Sequence, residues 1–289
     1  MTKTNQLLAI CTISIVFAAL SIASAQVYTS VDFPGAVATT LNGGPNPEGT
    51  NIGSYTDTLG VTHGFVLKKG VFTSFDPPGS TATTPNWISP QGVIVGSFLD
   101  SSGASHGFIL SGGQYTTVDF PGAAGTALTS LNPSGQMSGE SCTVASCSSG
   151  ATHSFVVSKT GVFTGFDPPG ATSSAAVTVI ASGAVFGSYT DSGGVGHGYL
   201  LYHGTYTTID FPGATFTFVG AGNPERECVG LYTDAAGVNH AFLLSNGVFT
   251  SFDFPGDIFT DASGINPGGI IVGIYVDSAG FVHGFIRTP

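Results

Sequence analysis

Short, continuous apolar runs set the rhythm of this chain: Val93-Ile94-Val95, Phe108-Ile109-Leu110, Tyr199-Leu200-Leu201 and Ile270-Ile271-Val272. None alternates with polar residues, and no stretch after residue 25 sustains the 3.6-residue period of an amphipathic helix. Runs of this kind belong to strands covered on both faces of their sheet. Clusters of Gly, Pro, Asn, Asp and Ser separate them, so the region from Ala82 to Phe120 divides into four predicted strands. The first is 82–88, turned by Ser89-Pro90-Gln91-Gly92, and the second is 93–98, followed by Asp100-Ser101-Ser102-Gly103. The third is 106–110, turned by Ser111-Gly112-Gly113, and the fourth is 115–120. The first turn recurs as Asn46-Pro47-Glu48-Gly49, Asn132-Pro133-Ser134-Gly135 and Asn266-Pro267-Gly268-Gly269. Asn, Pro and Gly at the first, second and fourth positions mark a type I turn. Strands and connections this short describe a four-stranded antiparallel meander.

This meander is one copy of a block of about 44 residues that occurs six times. The tetrad Asp-(Phe/Pro)-Pro-Gly starts at Asp32, Asp76, Asp119, Asp167, Asp210 and Asp253, and His-x-(Phe/Tyr) starts at His63, His106, His153, His197, His240 and His283. A period of this size means a solenoid, a propeller or an array. In a ring of blades each sheet is sandwiched between two others, which accounts for the continuous apolar runs. The ends of the chain are complementary: 27–33 is a fourth strand without the first three, and 280–289 supplies a third strand without a fourth. The expected fold is therefore all-β, a six-bladed β-propeller of four-stranded antiparallel blades, closed by the N-terminal strand pairing with the C-terminal blade. Closure removes exposed sheet edges, whereas an open stack would need polar caps that are not evident.

Composition agrees with this picture. Of 289 residues 42% are hydrophobic and only 8% charged, while 43 Gly and 16 Pro supply turns. Residues 1–25 read as a signal peptide, with Lys3, an apolar run from Leu7 to Ala23, and a small-x-small site at Ala23-Ser24-Ala25. Residues 26–289 then form a single domain, secreted to an extracellular or periplasmic location and without a membrane span. The net charge of −11 comes mostly from Asp residues that belong to the repeat. The few Lys and Arg are scattered with no basic stripe, which argues against nucleic acid.

The repeats resemble the HAF-type extracellular repeat family, whose motif stands literally as His240-Ala241-Phe242. The similarity runs through the His-(Gly/Ser/Ala)-(Phe/Tyr), Asp-x-x-Gly-x-x-His and Asp-(Phe/Pro)-Pro-Gly stretches. It implies an exported repeat protein and transfers no activity.

In five blocks an Asp precedes the repeated His by six residues: Asp57/His63, Asp100/His106, Asp191/His197, Asp234/His240 and Asp277/His283. Each pair brackets the turn between second and third strands. Six metal sites or acid–base dyads would be the functional reading. The structural reading is favoured, because catalysis needs one site whereas every blade needs a corner. Calcium at the turn carboxylates is the extracellular alternative, without a ligand loop of known spacing. No cofactor is implied.

Function is sought where a copy departs from the rest. The third block is longest and carries Cys147 at the turn-Asp position, with Cys142 just before it. A disulfide clamping an enlarged loop is expected. Cys228 occupies a strand position held elsewhere by Ile94, Val185 and Ile271, so a buried small hydrophobe is expected. Trp87, the only Trp, stands on a first strand where other blocks place small residues. There it either fills the core or stacks on a ligand near a channel mouth. Hydrolysis of glycosides needs paired carboxylates, and those outside the repeat are Glu48, Glu140, Glu225, Glu227, Asp257 and Asp261. No G-x-S-x-G, H-E-x-x-H or phosphate loop is present. The leading expectation is a non-catalytic binding module for an extracellular or envelope component, a glycan or a protein. The alternatives are a polymer-degrading hydrolase or lyase with its site at the axis, and a structural surface protein.

Overall fold

The computed structural model describes residues 26–289, and the expected signal peptide lies outside the described residues. All regular structure among them is strand. β1 (Val27–Val31) stands alone at the start. Five groups of four follow: β2 (Ala38–Asn42), β3 (Asn51–Thr56), β4 (Thr62–Lys68), β5 (Val71–Phe75); then β6 (Ala82–Ile88), β7 (Ile94–Leu99), β8 (Ser105–Ser111), β9 (Gln114–Val118). The third and fourth are β10 (Gly125–Leu131), β11 (Met137–Cys142), β12 (Thr152–Val157), β13 (Phe163–Phe166), and β14 (Ser173–Val179), β15 (Val185–Thr190), β16 (Gly196–Tyr202), β17 (Thr205–Ile209). The fifth is β18 (Phe216–Gly222), β19 (Cys228–Thr233), β20 (Asn239–Ser245), β21 (Val248–Phe252), and the chain ends with β22 (Phe259–Ile265), β23 (Ile271–Val276) and β24 (Val282–Thr288).

Within each group the strands pair antiparallel in chain order. The last group takes its fourth strand from the other end of the chain, since β1 pairs antiparallel with β24, Val27 opposite Thr288 and Val31 opposite Gly284. The first strand is shorter than the 27–33 expected, because Asp32 already turns away to meet His283. In the second group the boundaries fall within two residues of those read from the sequence.

The turns form for local reasons. Between first and second strands the Asn46 Oδ1 accepts the N–H groups of Glu48 and Thr50, each at 3.0 Å, and Asn132 does the same for Ser134 and Gln136. Between second and third strands Asp57 Oδ1 accepts from the Leu59 and Val61 amides at 2.8 and 2.9 Å. Short polar side chains that mimic a backbone acceptor stabilise such turns wherever they occur.

The core lies between the sheets. Each third strand sends one ring inward (Phe65, Phe108, Phe155, Tyr199, Phe242 and Phe285), and all six are at most 1% exposed. Burial of one such ring contributes about 1.5–3 kcal/mol. The cluster of Val31, Leu41, Phe65, Leu67 and Val272 joins the two ends of the chain to the first group.

The six innermost strands stand side by side in sequence, and β22 also lies against β2. Five of them carry a bulge against the second strand, at Asn86, Thr129, Val177, Gly220 and Ser263. At this register, bulged or not, side chains of several of these strands reach the next sheet. Asn42 Nδ2 donates to the Pro85 carbonyl and Asn86 Nδ2 to that of Leu128, both at 2.8 Å. Thr129 Oγ1 donates to Ala176 O, and Ser263 Oγ to Leu41 O, each at 2.5 Å. Gly264 permits the last approach: a Cβ there would collide with the backbone of Gly43 and Gly44.

Candidate functional site: the axial channel and the Asp–His face

Because the first strands all run the same way, their side chains line a channel in layers. At one end the turns between first and second strands bring Pro47, Pro90, Pro133, Pro224 and Pro267 around a cavity of about 130 Å³. Its walls are apolar, with Ile88, Leu131, Val179 and Ile265 below the prolines. Further along, a cavity of about 440 Å³ is lined by Asn42, Thr84, Asn86, Ser97, Thr129 and Glu140 among others. Trp87 lines both cavities, together with Gly43 and Thr178. The sole tryptophan thus stands in the channel where the two cavities meet. One part of it packs on the cluster of Val95, Leu128 and Met137, so filling the core and facing the channel are not alternatives for this residue.

Glu140 is the functional candidate that sequence reasoning left among six undistinguished carboxylates. It is the fourth residue of β11, where the equivalent positions hold Ser54, Ser97, Ser188, Leu231 and Ile274. Burial pushes its pKa above the ordinary carboxylate value, against a hydrogen bond from Thr152. The departure from Ser or aliphatic was the available signal, but only the packing of the second sheet on the third brings Glu140 onto the cavity wall that Trp87 shares. The other carboxylates go elsewhere. Glu48 pairs with Lys68 at 2.7 Å, and Glu227 accepts from Asn223 and Ser245. Asp257 accepts from Thr260, and Asp261 is buried on β22.

On the opposite side from the prolines lie the repeated Asp and His. The turn aspartates do approach their expected histidines, but at 3.4–3.6 Å from Nε2. The closer partner is the tetrad Asp that follows the fourth strand. Nδ1 of His63, His106, His153, His197 and His240 meets Asp76, Asp119, Asp167, Asp210 and Asp253 at 2.7–3.0 Å. His283 reaches Asp32, at the start of the described chain, at 2.6 Å. Among the described residues no group of three or more His, Cys, Asp or Glu is arranged to hold a metal ion.

The third group departs as the sequence indicated. Cys142 and Cys147 form a disulfide, and the loop they close carries Ala145, whose carbonyl accepts the Ser105 amide of the second group at 2.7 Å. Cys228 is fully buried, and desolvation pushes its thiol pKa up to about 12.

The strand pattern and the layered axial channel define a β-propeller. Solved structures of the same class are similar over most of their length. AofleA from Arthrobotrys oligospora matches with a TM-score of 0.58 at 10% identity, over 90% of this chain and 86% of that one. The fucose-recognising lectin of Aleuria aurantia, a six-bladed β-propeller, matches with a TM-score of 0.55 at 13% identity, over 86% and 91%. The virginiamycin B lyase of Staphylococcus aureus matches with a TM-score of 0.53 at 10% identity, over 90% and 99%. At these identities the likeness shows the fold alone. No family model and no curated protein matches the chain.

Proposed function

We propose that this chain is an exported, six-bladed propeller of the HAF-repeat kind, with its ring closed by β1, and that it is a non-catalytic carbohydrate-binding module of the extracellular space or cell envelope. The observation that carries the reading is the convergence of two departures from the repeat, Trp87 and Glu140, on one cavity of about 440 Å³. An indole face stacks on the apolar face of a sugar ring, while a carboxylate and the amide of Asn86 take its hydroxyls. The cavity has the size of a small-ligand site. The repeated Asp–His corners are scaffold in this reading, since all six share the Nδ1–Asp contact and five add the turn Asp. Lectins of the same fold class recognise fucose, which supports a sugar as ligand. An export route agrees with the Cys142–Cys147 disulfide, which persists in oxidising compartments.

A glycan array probed with the purified protein, followed by titration of the hits, tests this. Trp87→Ala and Glu140→Gln are each expected to weaken binding at least about tenfold, a loss of about 1.4 kcal/mol, with the fold retained by circular dichroism. Unchanged affinity in both variants would remove the channel from consideration. Turnover of a polysaccharide by the parent protein, abolished in Glu140→Gln, would replace the binding reading with a lyase or hydrolase. N-terminal sequencing of secreted material is expected to begin at Gln26.

A further inference from the structure

Three groups build an aromatic sandwich on the Asp–His face. The tetrad Phe33 stacks on Tyr55 at 3.6 Å between centroids and 2° between planes, and Tyr55 stacks in turn on His63 at 5.1 Å. Phe211, Tyr232 and His240 repeat this at 3.6 and 5.2 Å. Phe254, Tyr275 and His283 do so at 3.7 and 4.8 Å. The central phenol is held by its hydroxyl, which meets Ser74, Ser251 or Ser30 of the fourth strand at 2.9–3.1 Å.

The third group has both outer members and lacks the middle. Phe120 sits as Phe33 does, against Phe163 at 5.4 Å and Phe155 at 5.3 Å, where Phe33 has Phe72 at 5.2 Å and Phe65 at 5.7 Å. The residue that would be the tyrosine is Ser141, directly opposite His153 in the ladder. The serine that would hold the phenol is Gly165, and the turn Asp is Cys147, tied into the disulfide. In place of the ring there is a cavity of about 400 Å³, lined by Phe120, Ser141, Thr143 and His153. His153 keeps Asp167 on Nδ1 at 2.9 Å, but the other five histidines face a turn carboxylate through Nε2 and this one has none. Its side chain is 49% exposed, against 21–28% for the others.

We infer that this slot is a binding site for a phenol ring, which inserts between Phe120 and His153 and completes the sandwich that Tyr55, Tyr232 and Tyr275 complete from within the chain. Aromatic faces supply the contact, and Nε2 of His153, oriented by Asp167, hydrogen-bonds a polar group of the ligand. The loss of three partners at once, tyrosine, serine and aspartate, leaves the two outer rings in place. The site lies on the face away from the proline turns and does not depend on the channel reading.

The experiment is a titration of the purified protein with p-cresol, read on the imidazole protons of His153 by NMR. A saturable shift is expected with Kd on the order of 1 mM, the range open to a ligand of so few atoms. Ser141→Tyr, which refills the slot, is expected to abolish that shift and raise the melting temperature. Phe120→Ala is expected to weaken binding at least about tenfold, and it decides the matter if the first variant does not fold. Tyr232→Ser is expected to open a second p-cresol site, reported by His240. N-acetyltyrosinamide in a parallel arm shows whether a tyrosine side chain of another protein is accepted as well as a free phenol. Absence of a saturable shift in the parent, or an undiminished shift in both Ser141→Tyr and Phe120→Ala, overturns the assignment. Trp87→Ala is expected to leave p-cresol binding unchanged, which separates this outcome from failure of the channel proposal.

Discussion

Asp261 occupies the inner-strand register that holds Thr40, Thr84, Ala127, Ala175 and Phe218 in the other groups. Desolvation raises its pKa from the ordinary 3.8 to about 6. The folded chain therefore holds this proton more tightly than the unfolded one. Stability falls as pH rises through that window and stays lower above it. Asp261→Asn removes the charge while keeping the shape. Thermal melts are expected to show the variant above the parent at about pH 8, with the gap closing toward about pH 4. A constant gap would mean that the side chain acts through packing and not through its charge. At this scale the sequence was informative about Cys228, whose strand position already implied burial. It was silent on Glu140, because nothing local tells a carboxylate on a channel wall from one on an open surface.

The corner shared by each second, third and fourth strand is where residues begin to act together. Spacing alone suggested Asp57 as the partner of His63. In the hairpin Gly64 faces Phe75, which sets His63 beside Asp76 at 2.7 Å. The constant 13-residue separation of His and tetrad Asp was present in the sequence, except for one extra residue in the third copy. It becomes meaningful only once the register of the hairpin is known. The Asp76 hydrogen bond raises the His63 pKa above 6.5 in spite of desolvation. The corresponding stabilisation is complete below pH 6.5 and disappears as pH rises through the folded value. The turn aspartates work in the other direction: the Val61 amide lowers Asp57, and the Ser102 hydroxyl lowers Asp100 to about 2. Their contribution is present above 3.8 and lost as pH falls toward the folded values. With Asp261 drawing the maximum toward the acidic end, the melting temperature is expected to peak between about pH 4 and 6.5 and to decline toward about pH 8.5. His63→Asn should flatten that decline, and an unchanged slope would assign the pH dependence to other groups.

For the whole molecule the decisive contacts join residues more than 200 positions apart. Ser263 donates to Leu41, His283 meets Asp32, and β1 pairs with β24 from Gly284 to Thr288. The first recurs elsewhere between adjacent groups, as Thr129 to Ala176, and the other two recur within single groups, as His63 with Asp76 and β4 with β5, so the seam is built like the rest of the proposed ring. Two changes probe it. Gly264→Ala places a methyl against the Gly43–Gly44 backbone. Overpacking of this sort costs about 1–3 kcal/mol, which lowers the melting temperature by roughly 2–10 °C. Deletion of residues 26–31 uncovers the edge of β24 and is expected to produce self-association in sedimentation, since an unpaired edge recruits other strands. A monomeric deletion variant with the parent's melting temperature would show that the seam carries no stability.

The order of strands, their lengths and their turns were decided by the chain itself, because each depends on neighbours a few residues away: Asn46 and Asp57 cap turns that begin at those very residues. The pairing of the two ends was also implied, through a first strand without companions and a last sheet one strand short. Which side chains face a common cavity was decided only by tertiary structure. Trp87 and Glu140 lie on different sheets, and Phe120 and His153 are brought together across a missing tyrosine. Such relations depend on how bulged strands rotate about an axis, and that rotation is set by the packing of all the sheets at once.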